Sequence, residues 1–378
     1  MAGTPKLMAE NIAQWKPDLV FCHHGLAASN AQFQEKLRRS GIKLAVYLCD
    51  EPYEVGETAL YSPSFDYVFT MEPQTVEVHR LSRLNRPPVV FYLPAAVNPE
   101  EFKLQPYDGR HVPALFLGNA SLVPRPAYLK PIEKLIERAK IMFWEPPKKT
   151  SAQWVPLSSH PKVYSSCVVG LNVHRSPWIT ENEYRTRVRN RLPHKRVPAG
   201  ISLVKSRPTE WGTGFYNDGN LSSDHVNPRF FEMAACGTLV VNDNQRSEVA
   251  RMFPMVPQAE SPEHFYELVR YYIDHPDEAE EIGNVCSSLI SKQHTYRHRA
   301  AEVLIRAGFR EQGAESLRLS LGVPEDYLTP QPSELLKARS SSERTGSSER
   351  WSPQFGMSSI RTCGSPRDTG SIDVPLLW

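Results

Sequence analysis

Short apolar runs alternate with amphipathic stretches along the first hundred residues. A helical spacing over 6–15 is followed by PDLVFCHHG and IKLAVYLCDEPYE, apolar runs that stop at glycine, acids or proline, as buried parallel strands do. Between them, NAQFQEKLRRSG has the spacing of a helix that ends at Gly41. FDYVFTMEP and PPVVFYLPAAVNP predict two more strands around the helix TVEVHRLSRL. This β-α alternation predicts right-handed crossovers and a doubly wound parallel sheet.

The same alternation restarts at HVPALFLGNASLVPR and predicts a second unit. YLKPIEKLIERA predicts a helix, KIMFWEP a strand, and VYSSCVVGLNVHR a helix end that runs into a strand. Residues 176–224 interrupt the pattern, and Trp178 and Trp211 within them favour an ordered lid over disorder. Beyond the interruption, a strand is predicted at 238–242 and helices at 228–236, 246–252, 261–274, 276–291 and about 295–310.

These elements predict an α/β protein with two facing Rossmann-like domains. The N-terminal domain covers residues 1–108, and the C-terminal domain covers 109–312 with the insertion at 176–224. A helical end and a tail rich in Ser, Arg, Pro and Gly occupy 313–378, and this tail composition is typical of disorder. In sheets of this kind, ligands bind at the carboxyl ends of the strands.

Charge composition argues against a general polyanion binder. The 378 residues include 44 Lys+Arg and 42 Asp+Glu, a formal net charge of +2. A local basic run at 185–196 could still hold nucleic-acid phosphates, although such runs are more often solvated faces. We therefore do not expect nucleic acid as a partner.

Cysteine spacing and hydropathy indicate a cytoplasmic protein without a membrane span. The six cysteines form no C-x-x-C pair and lie mostly in apolar runs, which favours buried reduced thiols and gives no zinc pattern. No apolar stretch approaches ~18 residues, and the N-terminus has no apolar leader region. No G-x-G-x-x-G follows a strand and no P-loop is present, which argues against dinucleotide dehydrogenases and P-loop hydrolases.

The segment HVNPRFFEMAACGTLVVNDN carries the clearest candidate chemistry. A helix entered at Asn227-Pro228 presents free N–H groups and a positive dipole, which together favour an anion. Arg229 could bind a diphosphate through two parallel N–H donors of its guanidinium. Glu232, one turn later, could accept hydrogen bonds from two ribose hydroxyls. The alternative is a local ion pair between these two residues, three apart on the helix.

A resemblance to a known family follows from these and other segments. NPRFFEMAACGTLVV, PEHFYELVRYYIDHPDEAEEIG and HTYRHRAAEVL resemble the donor domain of GT-B glycosyltransferases. The group most similar in these segments is that of the spore-maturation CgeB-like proteins, which are related to the retaining family 4 glycosyltransferases. PDLVFCHHG, YLCDEPYE, FDYVFTMEP, LPAAVNPEEF and ALFLGNASLVPRPAYL resemble the same group in the same order, so the resemblance covers roughly residues 17–308.

The resemblance implies retaining transfer of a sugar from a UDP-, GDP- or TDP-sugar to a protein, glycan or small-molecule acceptor. Glu232 matches the second acid of the family's E-x7-E pattern, which binds the donor ribose, whereas Asp224 stands where the first acid is normally Glu. The pair Gly118 and Arg125 matches the site that neutralises the donor diphosphate. No metal or other cofactor is implied. The further donor-binding candidates are Asn172, His174, Asn227, Arg229 and Gly237.

The acceptor-side candidates for catalysis are His24, Asp50 and Glu51. Asp50 stands where many relatives have histidine, and a capped turn after a strand is the alternative interpretation of Asp50-Glu51-Pro52. The family's first strand and helix should precede KPDLV, so we expect the first domain to lack its initial strand. That expectation, together with Asp224, leaves open a non-catalytic nucleotide-sugar or glycan binding protein. A glycosyltransferase that modifies DNA bases is a third possibility, motivated by the basic run.

Overall fold

A computed structural model describes residues 5–24, 31–81, 87–105, 109–142, 155–177 and 221–319. The predicted tail and most of the insertion, with Trp178, Trp211 and the basic run at 185–196, lie outside the described residues. The chain divides into two compact units, and each contains a parallel sheet with helices. The first unit comprises Met1–Pro94 and Ser176–Ser223; the second comprises Ala95–Arg175 and Asp224–Trp378.

The first unit is built on a four-stranded sheet in the order β1-β2-β3-β4, with every pairing parallel. Sequential strands therefore lie side by side, each joined to the next by a connection that contains a helix. The strands are β1 Leu19–His23, β2 Lys43–Leu48, β3 Tyr67–Thr70 and β4 Val89–Tyr92. The helices are α1 Pro5–Trp15, α2 Ala31–Arg39, α3 Val55–Tyr61 and α4 Val76–Arg80.

Burial explains why these runs became strands. Leu44, Val46 and Leu48 of β2 are fully buried and pack in one cluster with Phe33 and Leu37 of α2. The apolar residues of α2 lie four apart and share one face, so the helix covers the sheet through that face. Because all four strands run in the same direction, the residues that follow them gather at one edge of the sheet.

The second unit contains a five-stranded parallel sheet in the order β6-β5-β7-β8-β9. Its strands are β5 Val112–Leu117, β6 Lys140–Met142, β7 Cys167–Asn172, β8 Leu239–Asp243 and β9 Gln258–Ala259. Its helices are α5 Arg125–Leu135, α6 His160–Ser165, α7 Pro228–Ala235, α8 Ser247–Met252, α9 Pro262–Asp274, α10 Pro276–Gln293, α11 Tyr296–Arg306 and α12 Arg310–Leu319. The predicted α/β fold with two Rossmann-like units is confirmed.

The division between the units falls at Pro94–Ala95, whereas the sequence pattern placed it after residue 108. The segment after Pro94 is tied to the end of the second unit by its backbone. Val97 forms a parallel bridge with Thr295, and Arg299 donates to the carbonyl of Ala95 at 3.1 Å. These long-range bonds could not be anticipated from local periodicity.

The helix predicted over about 295–310 is present as α11, which ends at Arg306, four residues earlier than expected. A further helix, α12, begins at Arg310, and Gly308 lies between the two at φ 94°. Only glycine adopts this left-handed backbone readily, which is why the first helix stops before it. Among the described helices, none is long and apolar enough to cross a membrane.

Candidate functional site

The N-terminus of α7 is a capped and rigid helix start. The side chain of Asn227 accepts from the N–H of Phe230 at 3.0 Å, and Pro228 occupies the first helical position. Both are residue choices that favour a helix start, because the cap satisfies one free donor and proline has none to satisfy. Phe230 and Phe231 are fully buried and hold the helix against the unit's core.

Three asparagine side chains link this helix to the carboxyl ends of two strands. The amide of Asn227 donates to Asn172 at 2.7 Å, and the amide of Asn172 donates to Asn242 at 2.6 Å. Asn172 ends β7, and Asn242 lies on the neighbouring strand β8. Two of the predicted donor-site residues, Asn172 and Asn227, are therefore brought together, and their hydrogen bonds fix the helix start over the strand ends.

Arg229 projects toward the end of β5. Its guanidinium carbon lies 5.0 Å from the centre of the Phe116 ring. A Cβ placed on Gly118 would lie 3.0 Å from one terminal nitrogen of Arg229, so glycine permits this close approach. The arrangement brings a cation, the helix N-terminus and the loop after β5 into one region. It is suited to an anion, and the charge of Arg229 also lies close enough to Glu232 to lower the pKa of that carboxyl, so both predicted roles of Arg229 stay open.

Glu232 lies one turn further along α7 and is largely buried. Burial raises the pKa of its carboxyl to about 7, although a hydrogen bond from Tyr164 and the nearby charge of Arg229 both lower it. The Tyr164 hydroxyl donates to Oε2 of Glu232 at 3.2 Å. A buried acid with a pKa near neutrality is unusual and is typical of functional sites. In these surroundings the Glu232 carboxyl is suited to accept hydrogen bonds from hydroxyl groups.

Arg125 is buried as well, but its guanidinium donates to main-chain oxygens. Nε donates to the carbonyl of Val173 at 2.9 Å, and one terminal nitrogen donates to the carbonyl of Asn119 at 2.9 Å. These bonds join the start of α5 to the loop after β5 and to the residue that follows β7. In this structure Arg125 therefore positions the loop that carries Gly118.

His174, two residues after β7, is held by Asp243 at the end of β8. Its backbone N–H and its ring Nδ1 lie 2.7 and 2.6 Å from the two carboxylate oxygens of Asp243. Burial lowers the pKa of His174 to about 4 despite this carboxylate, so the imidazole is neutral near pH 7. With Nδ1 facing the carboxylate, Nε2 is the ring nitrogen left as an acceptor.

Two other donor-site candidates are Gly237 and Asp224. Gly237 ends α7, at the opposite end from Asn227, with φ 75°. A Cβ there would lie 2.4 Å from a methyl group of Leu104, so Gly237 terminates the helix and permits close packing. Asp224 is half-buried in the irregular segment before α7.

The acceptor-side candidates lie in the first unit, at the carboxyl ends of β1 and β2. Glu51 is fully buried, accepts a hydrogen bond from Thr58 and lies 3.4 Å from Nε2 of His79. These contacts favour a structural role for Glu51. Asp50 is exposed, and its carbonyl accepts from the N–H of Glu54 at 3.2 Å, which is the predicted turn.

Three site residues were missed at the level of sequence. Tyr164 precedes β7 on α6, Asp243 ends β8, and Phe116 lies on β5. Asp243 could have been found, because it stands at the carboxyl end of a predicted strand, as the other candidates do. Tyr164 and Phe116 carried no local signal, since their apolar surroundings resemble ordinary core positions.

Residues 125–305 match the family described as glycosyl transferase-like. This region includes α5, β7 and α7, with Arg125, His174 and Glu232, whereas Gly118 lies just before it. No curated protein sequence matches the chain.

Solved glycosyltransferase structures have the same fold. Sucrose-phosphate synthase from Thermosynechococcus elongatus is similar with a TM-score of 0.50 at 10% identity, covering 82% of this chain and 77% of that one. A glycosyltransferase from Rickettsia africae gives 0.49 at 13% identity, with 83% and 81% covered. HepE from Anabaena, solved in complex with UDP-glucose, gives 0.47 at 10% identity, with 83% and 82% covered. The similarity to sucrose-phosphate synthase agrees with the predicted α/β fold of the GT-B type, which is confirmed.

Proposed function

We propose that this protein is a retaining glycosyltransferase that moves a sugar from a nucleotide-diphosphate sugar to an acceptor. The observation that carries the proposal is the placement of Arg229 and Glu232 on one capped helix that lies over parallel strand ends. Arg229 offers charge for a diphosphate, and Glu232 offers a carboxylate one turn away for ribose hydroxyls. The glycosyl transferase-like match over residues 125–305 supports the same conclusion.

The proposed transfer breaks the bond between the anomeric carbon and the donor phosphate oxygen and forms a bond to an acceptor oxygen on the same face. The acceptor proton leaves with the departing phosphate. Arg229 and the N–H groups of α7 stabilise the charge that develops on that phosphate. Glu232 holds the ribose and so orients the donor. This positioning accelerates the transfer. In this proposal the transfer requires no metal ion.

On the acceptor side, the proposal assigns polar contacts to His24 and Asp50, which follow β1 and β2. Both residues keep solvent-accessible side chains, unlike Glu51. We place the chain among the CgeB-like relatives of the family 4 enzymes on the strength of the segment NPRFFEMAACG.

Donor binding is the first test. Purified protein is mixed with UDP, GDP, TDP, ADP and their sugars, and the melting temperature and the dissociation constant are measured. One nucleotide sugar should stabilise the fold, and Arg229→Ala and Glu232→Ala should each weaken its binding at least tenfold while the unliganded protein still melts cooperatively. Glu267→Gln, an exposed acid on α9, is the control and should bind as the wild type does. Unchanged affinity in both site variants would refute the proposal.

Turnover separates the enzyme from its main alternative. Asp224 in place of the expected Glu motivates a non-catalytic binding protein. Release of free sugar or formation of product from the bound donor would exclude that alternative. Binding without any turnover, tested with a range of acceptors, would favour it. Salt-sensitive binding of duplex DNA would instead support a base-modifying enzyme.

A further inference from the structure

We propose that the first unit binds a zinc ion through His24, Cys49 and Asp50. One ring nitrogen of His24, Sγ of Cys49 and a carboxylate oxygen of Asp50 all lie within 4.8 Å of one another. A tetrahedral zinc site has neighbouring ligand atoms about 3.5 Å apart. The inference is independent of donor binding, because the donor-site residues belong to the second unit. It places His24 and Asp50 on a metal ion, in place of the direct acceptor contacts that the proposed function gives them.

The fold brings these residues together through strand pairing. His23 is in register with Tyr47 on adjacent parallel strands, and the N–H of His24 donates to the carbonyl of Tyr47 at 2.8 Å. Cys49 and Asp50 therefore emerge beside His24 at the same end of the sheet. His24 adopts φ 64°, a left-handed backbone that is uncommon for residues other than glycine. Such strain is concentrated at functional sites.

The two nitrogens of His24 have different surroundings, as they do in metal-bound histidines. Nε2 lies 3.3 Å from a carboxylate oxygen of Glu54, whose side chain is buried. Nδ1 is buried and has no hydrogen-bond partner among the described residues. Metal-bound histidines commonly have a carboxylate near the ring nitrogen that does not bind the metal, and this contact orients the ring. Glu54 thus acts as a positioning residue for His24.

The ligand types favour zinc over other common ions. Thiolate and imidazole are ligands for zinc, whereas magnesium and calcium prefer oxygen alone. Zinc binds cysteine as the thiolate, so binding at Cys49 would release one proton to solvent. Three protein ligands leave a fourth position for water or a bound acceptor group.

The test uses Co²⁺ as a spectroscopic probe for this site in the full chain. Protein stripped with a chelator is titrated with Co²⁺, and the sulfur-to-cobalt charge-transfer band is recorded in the near ultraviolet. We expect one equivalent to produce the band and Zn²⁺ to displace it. Cys49→Ser should abolish the band. Cys22→Ser, a half-buried thiol on β1 that packs against the hydrophobic core, is the matched control and should retain it.

Two further variants keep the proposal testable if Cys49→Ser misfolds. Asp50→Asn changes an exposed side chain and should retain the band but weaken Zn²⁺ binding at least tenfold. Glu54→Gln should also retain the band and weaken binding about 10–100-fold, the usual effect of removing a carboxylate that orients a histidine ligand. A wild-type protein without the band at excess Co²⁺ would overturn the proposal. So would a band that survives in Cys49→Ser, or Zn²⁺ affinity unchanged in Asp50→Asn.

Discussion

Donor binding should depend on a single proton at Glu232. The pKa of this carboxyl is raised to about 7, so about a tenth of the molecules carry it ionised at pH 6 and about nine-tenths at pH 8. The ionised form offers both oxygens as acceptors to two ribose hydroxyls, whereas the protonated form keeps one oxygen as a donor. If binding requires that form, the dissociation constant of a nucleotide sugar falls about tenfold from pH 6 to pH 8, or about 1.4 kcal/mol.

Three neighbouring groups have pKa values shifted in directions that favour their neutral forms. His174 has a pKa lowered to about 4, so its imidazole is neutral, and burial lowers the pKa of His160 below its ordinary value. Burial and the charge of Glu232 raise the pKa of Tyr164 well above its usual value, so its hydroxyl keeps the proton. The diphosphate of a nucleotide sugar is fully ionised throughout. Glu232 is therefore the group to which a pH dependence of binding would be assigned.

Isothermal titration calorimetry with an intact nucleotide sugar at several pH values measures the effect. Glu232→Gln should bind weakly and with no dependence on pH. Tyr164→Phe removes a hydrogen bond that lowers the pKa of Glu232, so the midpoint should move to higher pH. A wild-type affinity that is constant or weaker at pH 8 would refute the reasoning, as would a tenfold slope that persists in Glu232→Gln.

The protonation of Glu232 should also make the free energy of unfolding of the unliganded protein depend on pH. The folded pKa of Glu232, about 7, lies above the ordinary value of 4.5. The folded state therefore holds the Glu232 proton more tightly than the unfolded state does. The stabilisation that this proton gives the folded state is complete below pH 4.5 and is lost as the pH rises through 7. The difference corresponds to about 3 kcal/mol. Glu232→Gln should therefore be more stable than the wild type at pH 8 and lose that advantage toward pH 4.5.

Two stability comparisons test the packing around this site. Gly237→Ala should cost more free energy of unfolding than Gly41→Ala, because both glycines have φ 75° but only Gly237 would bring its Cβ within 2.4 Å of Leu104. The Gly41 change should cost about 1 kcal/mol, and equal losses in the two variants would contradict the steric argument. Arg110→Met should lower the free energy of unfolding by about 2–4 kcal/mol. The guanidinium of Arg110 donates three hydrogen bonds of 2.7–2.9 Å, and the methionine leaves the three accepting oxygens without this donor. The exposed Arg297→Met is its control and should cost less than about 1 kcal/mol in chemical denaturation, so similar losses would contradict the assignment.

Periodicity predicted most of the fold because each strand is a short apolar run between polar residues. The parallel order then brought the predicted residues at strand ends into shared regions, as with Asn172 and Asn227 in the second unit. Periodicity placed the end of α11 only to within four residues, because the left-handed backbone of Gly308 that ends it is not visible in the spacing of apolar residues.

The types and positions of the candidate site residues came from the sequence, whereas the contacts of each side chain came only from the structure. Glu51 and Arg125 were both predicted to be functional, and the structure places both in buried contacts within their own unit, so their roles stay predictions. A charged residue near a strand end looks the same in sequence whether it faces a ligand or a carbonyl. Only the direction of its side chain separates the two roles, and that direction is set by tertiary packing.

The surroundings of Glu232 explain why a carboxyl can be useful at this point of the fold. Burial alone would keep it protonated at neutral pH, and a protonated acid offers fewer acceptor positions to a sugar ring. Tyr164 and Arg229 both act in the opposite direction and bring the pKa down to about 7. Ionisation then costs little at neutral pH, and a ribose that donates hydrogen bonds can supply the remainder. The tyrosine is therefore part of the donor site in this proposal, although it lies on a different helix.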